Sequence, residues 1–332
     1  MSMIDQTDQA EVESTPLHVR IGRFMGDYPV IPLIILLGCL VGVLEFMRPG
    51  IISPFWLGNT IKFAIPLAML AACQMLTMLT AGIDLSAAVV ATVSAFVVAS
   101  VTPLYGPFAG VMIALGAAVL VGLVNGFGVG VARVHPLIMT LGTGLIATGC
   151  LQVYQRFVIN TGADIPDFLE WLGTGRTAGM PNGLFLFVPF AAAILLGLRY
   201  TGFGRLLFAL GSNEHAAKLS GVRSWQVFMA LYALVGLIAG ITGLLYVGMI
   251  RAPSLSLANP LLLPSVAAAV IGGTSIFGGR GSYAGTIVGA LILTVIGTLL
   301  TLLQMPQGAR VVFFGLIILG VTALYVRLTE NR

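Results

Sequence analysis

Residues 211–222 read GSNEHAAKLSGV, and Ser212, Asn213, Glu214, His215 and Lys218 fall within seven positions of a chain that is apolar on either side of them. The pattern is that of a helix start in water. Ser212 or Asn213 can accept the free backbone N–H groups of a first turn. Glu214 follows where negative charge suits the helix dipole, and Ala216, Ala217, Lys218 and Leu219 favour helix. Gly221 can end it in a left-handed conformation. About two turns result, too few to hold alone in water, so the segment has to pack either on its own chain or on a partner. One short water-facing helix between long apolar runs describes a membrane bundle, not a soluble domain.

The composition agrees. Of 332 residues, 58% are hydrophobic and 8% charged, and the mean hydropathy is +1.03. A soluble domain has roughly a quarter of its residues charged, so the bilayer is the expected solvent. The 42 glycines suit close helix packing in lipid. Cys39, Cys73 and Cys150 lie inside apolar runs, follow no metal spacing and read as small core residues. Residues 1–25 are polar, with Asp5, Asp8, Glu11 and Glu13, and lack the pattern of a cleavable signal. They read as a flexible cytoplasmic tail ahead of a membrane domain over 26–332. The net charge of +4 is modest and its basic residues are scattered, so nothing points to nucleic acid.

A spanning helix needs about 20 mostly apolar residues. The sequence predicts an all-α polytopic bundle of ten spans, near 29–47, 63–82, 84–102, 107–132, 136–153, 184–198, 225–250, 264–278, 283–303 and 310–327. The eighth, PSVAAAVIGGTSIFGG, is short and broken by glycine, which suits a span or a bent, re-entrant segment. Ile51 to Trp56 reads as interfacial. With the N-terminus inside, Arg20, Arg23, Arg133, Arg199, Arg205, Lys218, Arg223, Arg280, Arg327 and Arg332 are cytoplasmic, and Arg48, Lys62, Arg156, Arg176, Arg251 and Arg310 lie outside. That is ten against six of the sixteen basic residues, the sense of the positive-inside rule. Two long connectors remain. One is exterior, at 154–183, with Asp164, Asp167, Glu170 and Trp171; the other, at 199–224, is cytoplasmic and holds the opening stretch.

Polar groups at membrane depth are costly and call for a role. Asp84 is the only acid between Glu45 and Asp164. With Gly82 before it and Ser86 after it, it suits a cap on the third span near the inner surface, or a helix break beside a substrate pathway. Gln74 lies nearly three turns before Asp84 if the helix is continuous. Gln74 and Asn125 suit interhelical hydrogen bonds or a pathway lining. Thr140, Thr143 and Thr148 can satisfy themselves on backbone carbonyls. Gly281, Gly285 and Gly289 form a row suited to a tight helix crossing. IPLAMLAACQMLTMLTAGIDLS and NPLLLPSVAAAVIGGTS share a Pro-led apolar run ending in Gly and Ser, which would fit two related halves.

GSNEHAAKLSGV resembles the cytoplasmic coupling motif of permease subunits in bacterial ABC importers. AGIDLSAA, residues 81–88, is similar to the Gly-Gly-Ile-Asp-Leu-Ser-Val-Gly signature of ribose-type sugar permeases, and VIGGTSIFGGRGSYAGTIVGAL, residues 270–291, resembles their C-terminal signature. Order and spacing match from about residue 60 to the end. Ala81 stands where that family often has Gly, and Ala87 and Ala88 replace a Val-Gly pair. The resemblance implies a permease subunit for a monosaccharide or small polyol in a bacterial inner membrane. It implies a cytoplasmic ATPase that carries the ATP and docks on Ser212, Asn213, Glu214, Ala217, Lys218 and Gly221. A periplasmic sugar-binding protein and a second, identical or different, permease chain complete the implied assembly. Asp84, Ser86, Gln74 and Asn125 would line the pathway. No cofactor is implied on this chain.

The residues themselves agree on one point: Lys62 and Lys218, the only lysines, stand in no phosphate-cradling Gly-Lys-Ser or Gly-Lys-Thr. The alternatives are a permease of the same fold for branched-chain amino acids or nucleosides, and a self-contained secondary transporter using Asp84. A membrane enzyme finds no nucleophile or metal arrangement, since His18, His135 and His215 are far apart.

Overall fold

In the computed structural model, residues 30–158, 162–306, 308–316 and 319–320 are described. The expected tail, with Arg20 and Arg23, and the end of the tenth span, with Arg327 and Arg332, lie outside them. Helices follow in the order α1 Val30–Met47, α2 Pro54–Met78, α3 Ala87–Gly130, α4 Pro136–Val158, α5 Asp167–Thr174, α6 Gly183–Tyr200, α7 Gly202–Ser212, α8 Glu214–Leu219, α9 Ser224–Ile250, α10 Leu262–Ile271 and α11 Tyr283–Leu302. A two-stranded hairpin, β1 Arg176–Thr177 with β2 Met180–Pro181, joins α5 to α6.

Among the described residues seven helices are long and apolar enough to cross a membrane. One of them, α3, has 44 residues and non-helical backbone at Gly106, flanked by Pro103 and Pro107. A straight helix of that length would be about 66 Å long, twice a bilayer core. Instead the chain folds back, and Gly110 lies against Val98 and Thr102. The limbs 87–105 and 107–130 are the third and fourth expected spans. The eighth expected span is corrected: α10 has ten residues and ends at Gly272, and at 1.5 Å per residue it cannot cross. Glycine at 272, 273, 278 and 279 breaks the run, with positive φ at the last three. The tenth expected span begins in the helical residues 308–316.

The second expected span also shifts. Ser53 Oγ accepts the Trp56 N–H at 3.2 Å and Pro54 opens α2, so the interfacial stretch becomes the helix's first turn. At its other end α2 stops at Met78, four residues before the expected boundary.

The core is built on α2 and α9. From Ala64 to Met78 every α2 residue is buried, and α9 lies along both limbs of α3. Small residues permit that approach. Gly122 and Gly126 of α3 sit on the backbone of Tyr232, Gly236 and Met229, and Gly243 of α9 sits on the Ala91 carbonyl. At the rim, α1 buries only Leu44. Cys39 and Cys150 are exposed while Cys73 is buried, so only one of the three is a core residue. Lipid-facing positions are as apolar as the core, and hydropathy cannot separate them.

Ion pairs mark the two ends. Arg133 meets Glu214 at 2.7 Å at one end. At the other, Arg251 meets Glu170 at 3.2 Å and Arg176 donates to Asn59 Oδ1 at 2.6 Å. That separation matches the expected alternation of spans. The exterior connector is more structured than a loop. Leu169 and Gly173 of α5 pack on Gly248 and Met249 at the end of α9, and Trp171 stacks on Phe185 at 5.9 Å.

Candidate functional site

Between Met78 and Ala87 the chain leaves the helix, turns at Ala81 with φ +59, and runs back into the bundle. Gln74 explains why the segment holds. Its side-chain amide pairs with the Asp84 backbone in both directions, Nε2 donating to Asp84 O at 2.7 Å and Oε1 accepting from Asp84 N at 3.3 Å. Gln74 and Asp84 therefore lie side by side, not three turns apart, because the helix is not continuous. Asp84 Oδ1 accepts from Ser86 N at 2.8 Å and Ser86 Oγ at 2.6 Å, which places the carboxyl at the start of α3. Asn125 Nδ2 then donates to Ser86 Oγ at 2.9 Å, and Thr143 Oγ1 donates to Asn125 Oδ1 at 2.5 Å. Thr140 Oγ1 accepts from Leu85 N at 3.1 Å and donates to Ile83 O at 3.2 Å.

Gln74, Asp84, Ser86 and Asn125 are thus brought together. All four are buried, Asp84 at 2% exposure, and they hold one another. The helix break lies here, and Asp84 accepts from Ser86, the residue that precedes α3. Thr140 and Thr143 belong to the same network, although sequence reading gave them only their own helix carbonyls. Those carbonyl bonds are present, Thr143 reaching Met139 O at 3.1 Å and Thr148 reaching Gly144 O at 2.9 Å; the added partners Asn125, Leu85 and Ile83 lie on other elements, and no local pattern signals them. Beside the network, Gly82 packs against Tyr232 Oη, a buried hydroxyl without a partner among the described residues.

The opening stretch folds as two helices in succession. α7 covers residues 202–212, and Asn213, not Ser212, caps α8, its Oδ1 accepting from Ala216 N at 2.9 Å. Ser212 Oγ donates to Phe208 O instead. Gly221 ends the unit with φ +86. α8 has six residues, shorter than the expected two turns. One face is turned inward: Ala217 is buried, and Glu214 pairs with Arg133 at 2.7 Å and Lys218 at 2.8 Å. Burial works to raise the Glu214 carboxyl pKa, but hydrogen bonds and charge from Lys218 and Arg133 outweigh it and hold the group below its ordinary range. The other face carries exposed His215, Ala216 and Leu219, the last 78% exposed. The segment packs on its own bundle and still presents an open surface.

The three motifs singled out in the sequence meet at one point. Gly211 lies directly on the Leu79 carbonyl, close enough that a Cβ there would overlap it. Gly279 donates its N–H to that same carbonyl at 3.0 Å. Gly278, with φ +90, lies on Gly211 and Ala81, and Gly279, with φ +70, lies on Ser212. The end of α2, the break after α10 and the end of α7 are therefore in backbone contact, three residues from Asp84. Arg280 stands next to this joint, which its neighbour Gly279 makes by backbone contact. Above it, Gly285 and Gly289 place α11 on the Gly272 and Ala268 carbonyls of α10, and Gly281 faces Leu79 and Thr274.

Fold and site together define a multi-pass membrane permease: a helical bundle with two interlocked helix breaks and a short helical segment presented at one end. The chain belongs to the family described as the permease component of the branched-chain amino acid transport system, which matches residues 56–322. It is similar to the ribose import permease protein RbsC of Escherichia coli K12, 31% identical over 88% of this chain and 91% of that protein. The fructose import permease protein FrcC of Rhizobium meliloti is 30% identical over 92% and 87%. RbsC of Bacillus subtilis is 28% identical over 98% and 97%. No solved structure matches the chain significantly.

Proposed function

We propose that this chain is the membrane-spanning permease subunit of an ABC importer, and that it carries a monosaccharide or related small polyol across a bacterial inner membrane. ATP is bound and hydrolysed on separate ATPase subunits that dock on Ser212–Gly221 at the cytoplasmic face. A periplasmic sugar-binding protein delivers the cargo at the outer face, and a second permease chain completes the pathway. The observation that carries the reading is the joint between Gly211, Leu79 and Gly279. Any displacement of α7 and α8 reaches the break at Asp84 through backbone contacts that have no slack. A push from a docked ATPase is thereby converted into movement of two helix breaks inside the bundle. Relatives whose names specify ribose and fructose import support a sugar as cargo. The secondary-transporter alternative would need Asp84 within reach of an ion, and the carboxyl is enclosed.

The test is uptake of labelled ribose and fructose in cells lacking the chain and in cells with it restored. Uptake of either sugar that depends on the chain, and on cellular ATP with the proton gradient collapsed, is expected. Uptake of leucine but of neither sugar would overturn the cargo. Sugar uptake that survives ATP depletion while the gradient is intact would overturn the energy source.

A further inference from the structure

The side chains of the Asp84 network are largely occupied with one another, which leaves the question of where a hydroxylated cargo is held. A cavity elsewhere in the bundle gives a different answer. It measures about 520 Å³ and lies at the outer half of the bundle, between α2, α9, the start of α10, α11 and residues 308–316. That is within the roughly 300–1,000 Å³ of small-molecule pockets. Its lining includes Trp56, Asn59, Tyr246, Thr294, Thr298 and Arg310. Asn59 lies 15 positions before Gln74 on α2, about 22 Å along the helix, so the cavity is well separated from the Asp84 network.

Its polar groups have capacity left. The Trp56 indole N–H is buried with no acceptor among the described residues, which is costly unless something fills that role. Arg176 holds Asn59 by its oxygen at 2.6 Å, leaving the amide nitrogen to donate. Thr294 and Thr298 donate to Ala290 O and Thr294 O at 2.8 and 3.2 Å, so each hydroxyl oxygen keeps acceptor capacity. Arg310 is braced through Nε on Met305 O at 3.1 Å and has no acidic partner among the described residues. These donors and acceptors sit among aromatic and apolar walls, and among the described residues no carboxylate lines the space. Alternating hydroxyls over apolar ring faces is the chemistry of a neutral polyhydroxylated ring.

We propose that this cavity is a binding subsite for a neutral monosaccharide or polyol, with Trp56 N–H, Asn59, Thr298 and Arg310 as its hydrogen-bonding groups. The assignment rests on the sugar-import reading and adds where the cargo is held on entering from the outer side.

The chain has three tryptophans, so Trp171→Phe with Trp225→Phe leaves Trp56 as the sole reporter. Purified in lipid nanodiscs, that protein is titrated with ribose, fructose and leucine. A saturable change in Trp56 emission with a sugar is expected, shifted to about five-fold higher concentration by Thr298→Val, the loss of one hydrogen bond, and restored by Thr298→Ser. In cells, Thr298→Val should raise the KM of sugar uptake with kcat held. No saturable response to either sugar, or a response to leucine alone, overturns the subsite. If cells import the sugar and Thr298→Val and Asn59→Ala both leave KM unchanged, the subsite falls while the import reading stands. If cells import neither sugar, the import reading itself falls.

Discussion

The break at Asp84 and the cavity under Trp56 are both polar regions in an apolar bundle, and they differ in what their hydrogen bonds are used for. At Asp84 the side chains of Gln74, Asp84, Ser86, Asn125 and Thr143 satisfy one another. Around Trp56 the polar side chains share no such network, and the indole N–H has no partner among the described residues, as the Tyr232 hydroxyl beside the Asp84 network has none. A closed network fixes a backbone shape, whereas an open one has capacity for a ligand. Depth alone, which made Asp84 the conspicuous residue in the sequence, does not distinguish them.

The comparison can be broken first at the closed network. Asp84→Leu leaves the Ser86 N–H and hydroxyl without an acceptor, and the loss should be roughly 3 kcal/mol, seen as a lower Tm in detergent and as lost uptake. Asp84→Asn keeps one acceptor oxygen and should cost about 1 kcal/mol. If both variants fold like the parent and only sugar affinity falls, Asp84 is a pathway residue and the distinction drawn here is wrong. Gly211→Ala comes next. Its methyl would overlap the Leu79 carbonyl and crowd Gly279. Overpacking of this kind costs about 1–3 kcal/mol, and uptake should fall at least as far as stability while the protein still inserts. Unchanged uptake would sever the joint from the transport cycle.

Ala81→Gly should act in the other direction. Ala81 is held at φ +59, where a side chain costs about 1 kcal/mol that glycine avoids, so a Tm rise is expected. Glu214→Arg has the smallest effect on the fold, below about 1 kcal/mol, because exposed ion pairs contribute little. It should nevertheless abolish uptake by placing three cations at the docking face. The parent pairs are also sensitive to pH. Glu214 is depressed in the folded state by Lys218 and Arg133. Its contribution is therefore present above the unfolded-state pKa and is lost as pH falls through the folded one. Tm of the parent should drop more than that of Glu214→Gln on acidification, by a margin that shrinks in high salt.

Most spans were legible because long apolar runs leave few alternatives. The fold-back of α3 was legible as two spans, 84–102 and 107–132, and α10 as a glycine-broken run that suited a span or a bent, re-entrant segment. The segment 211–222 was legible as a polar helix start, down to Asn213 and Gly221. What escaped reading was everything set by contact across the bundle. Thr143 could not be assigned to Asn125, nor Gly211 to Leu79, because the spacing within one helix carries no information about its neighbour. The row Gly122, Gly126 and Gly130 on α3 was as regular as the row 281, 285 and 289, and it lies directly on the α9 backbone. The outer cavity had no signature, since its residues come from segments far apart in the chain, from Trp56 to Phe314. Ala81 was visible only as a departure from glycine; its positive φ gives that departure a physical meaning.

The central claim is that ATPase-driven motion enters through Ser212–Gly221. The most direct measurement is purification of the tagged chain from native membranes in mild detergent, parent and Glu214→Arg side by side, with mass spectrometry of what accompanies each. The account predicts an ATPase chain in near-equal amount with the parent and its loss with the variant. A parent chain that emerges alone, under conditions that keep a known importer intact, would contradict it, as would an ATPase retained in full by Glu214→Arg.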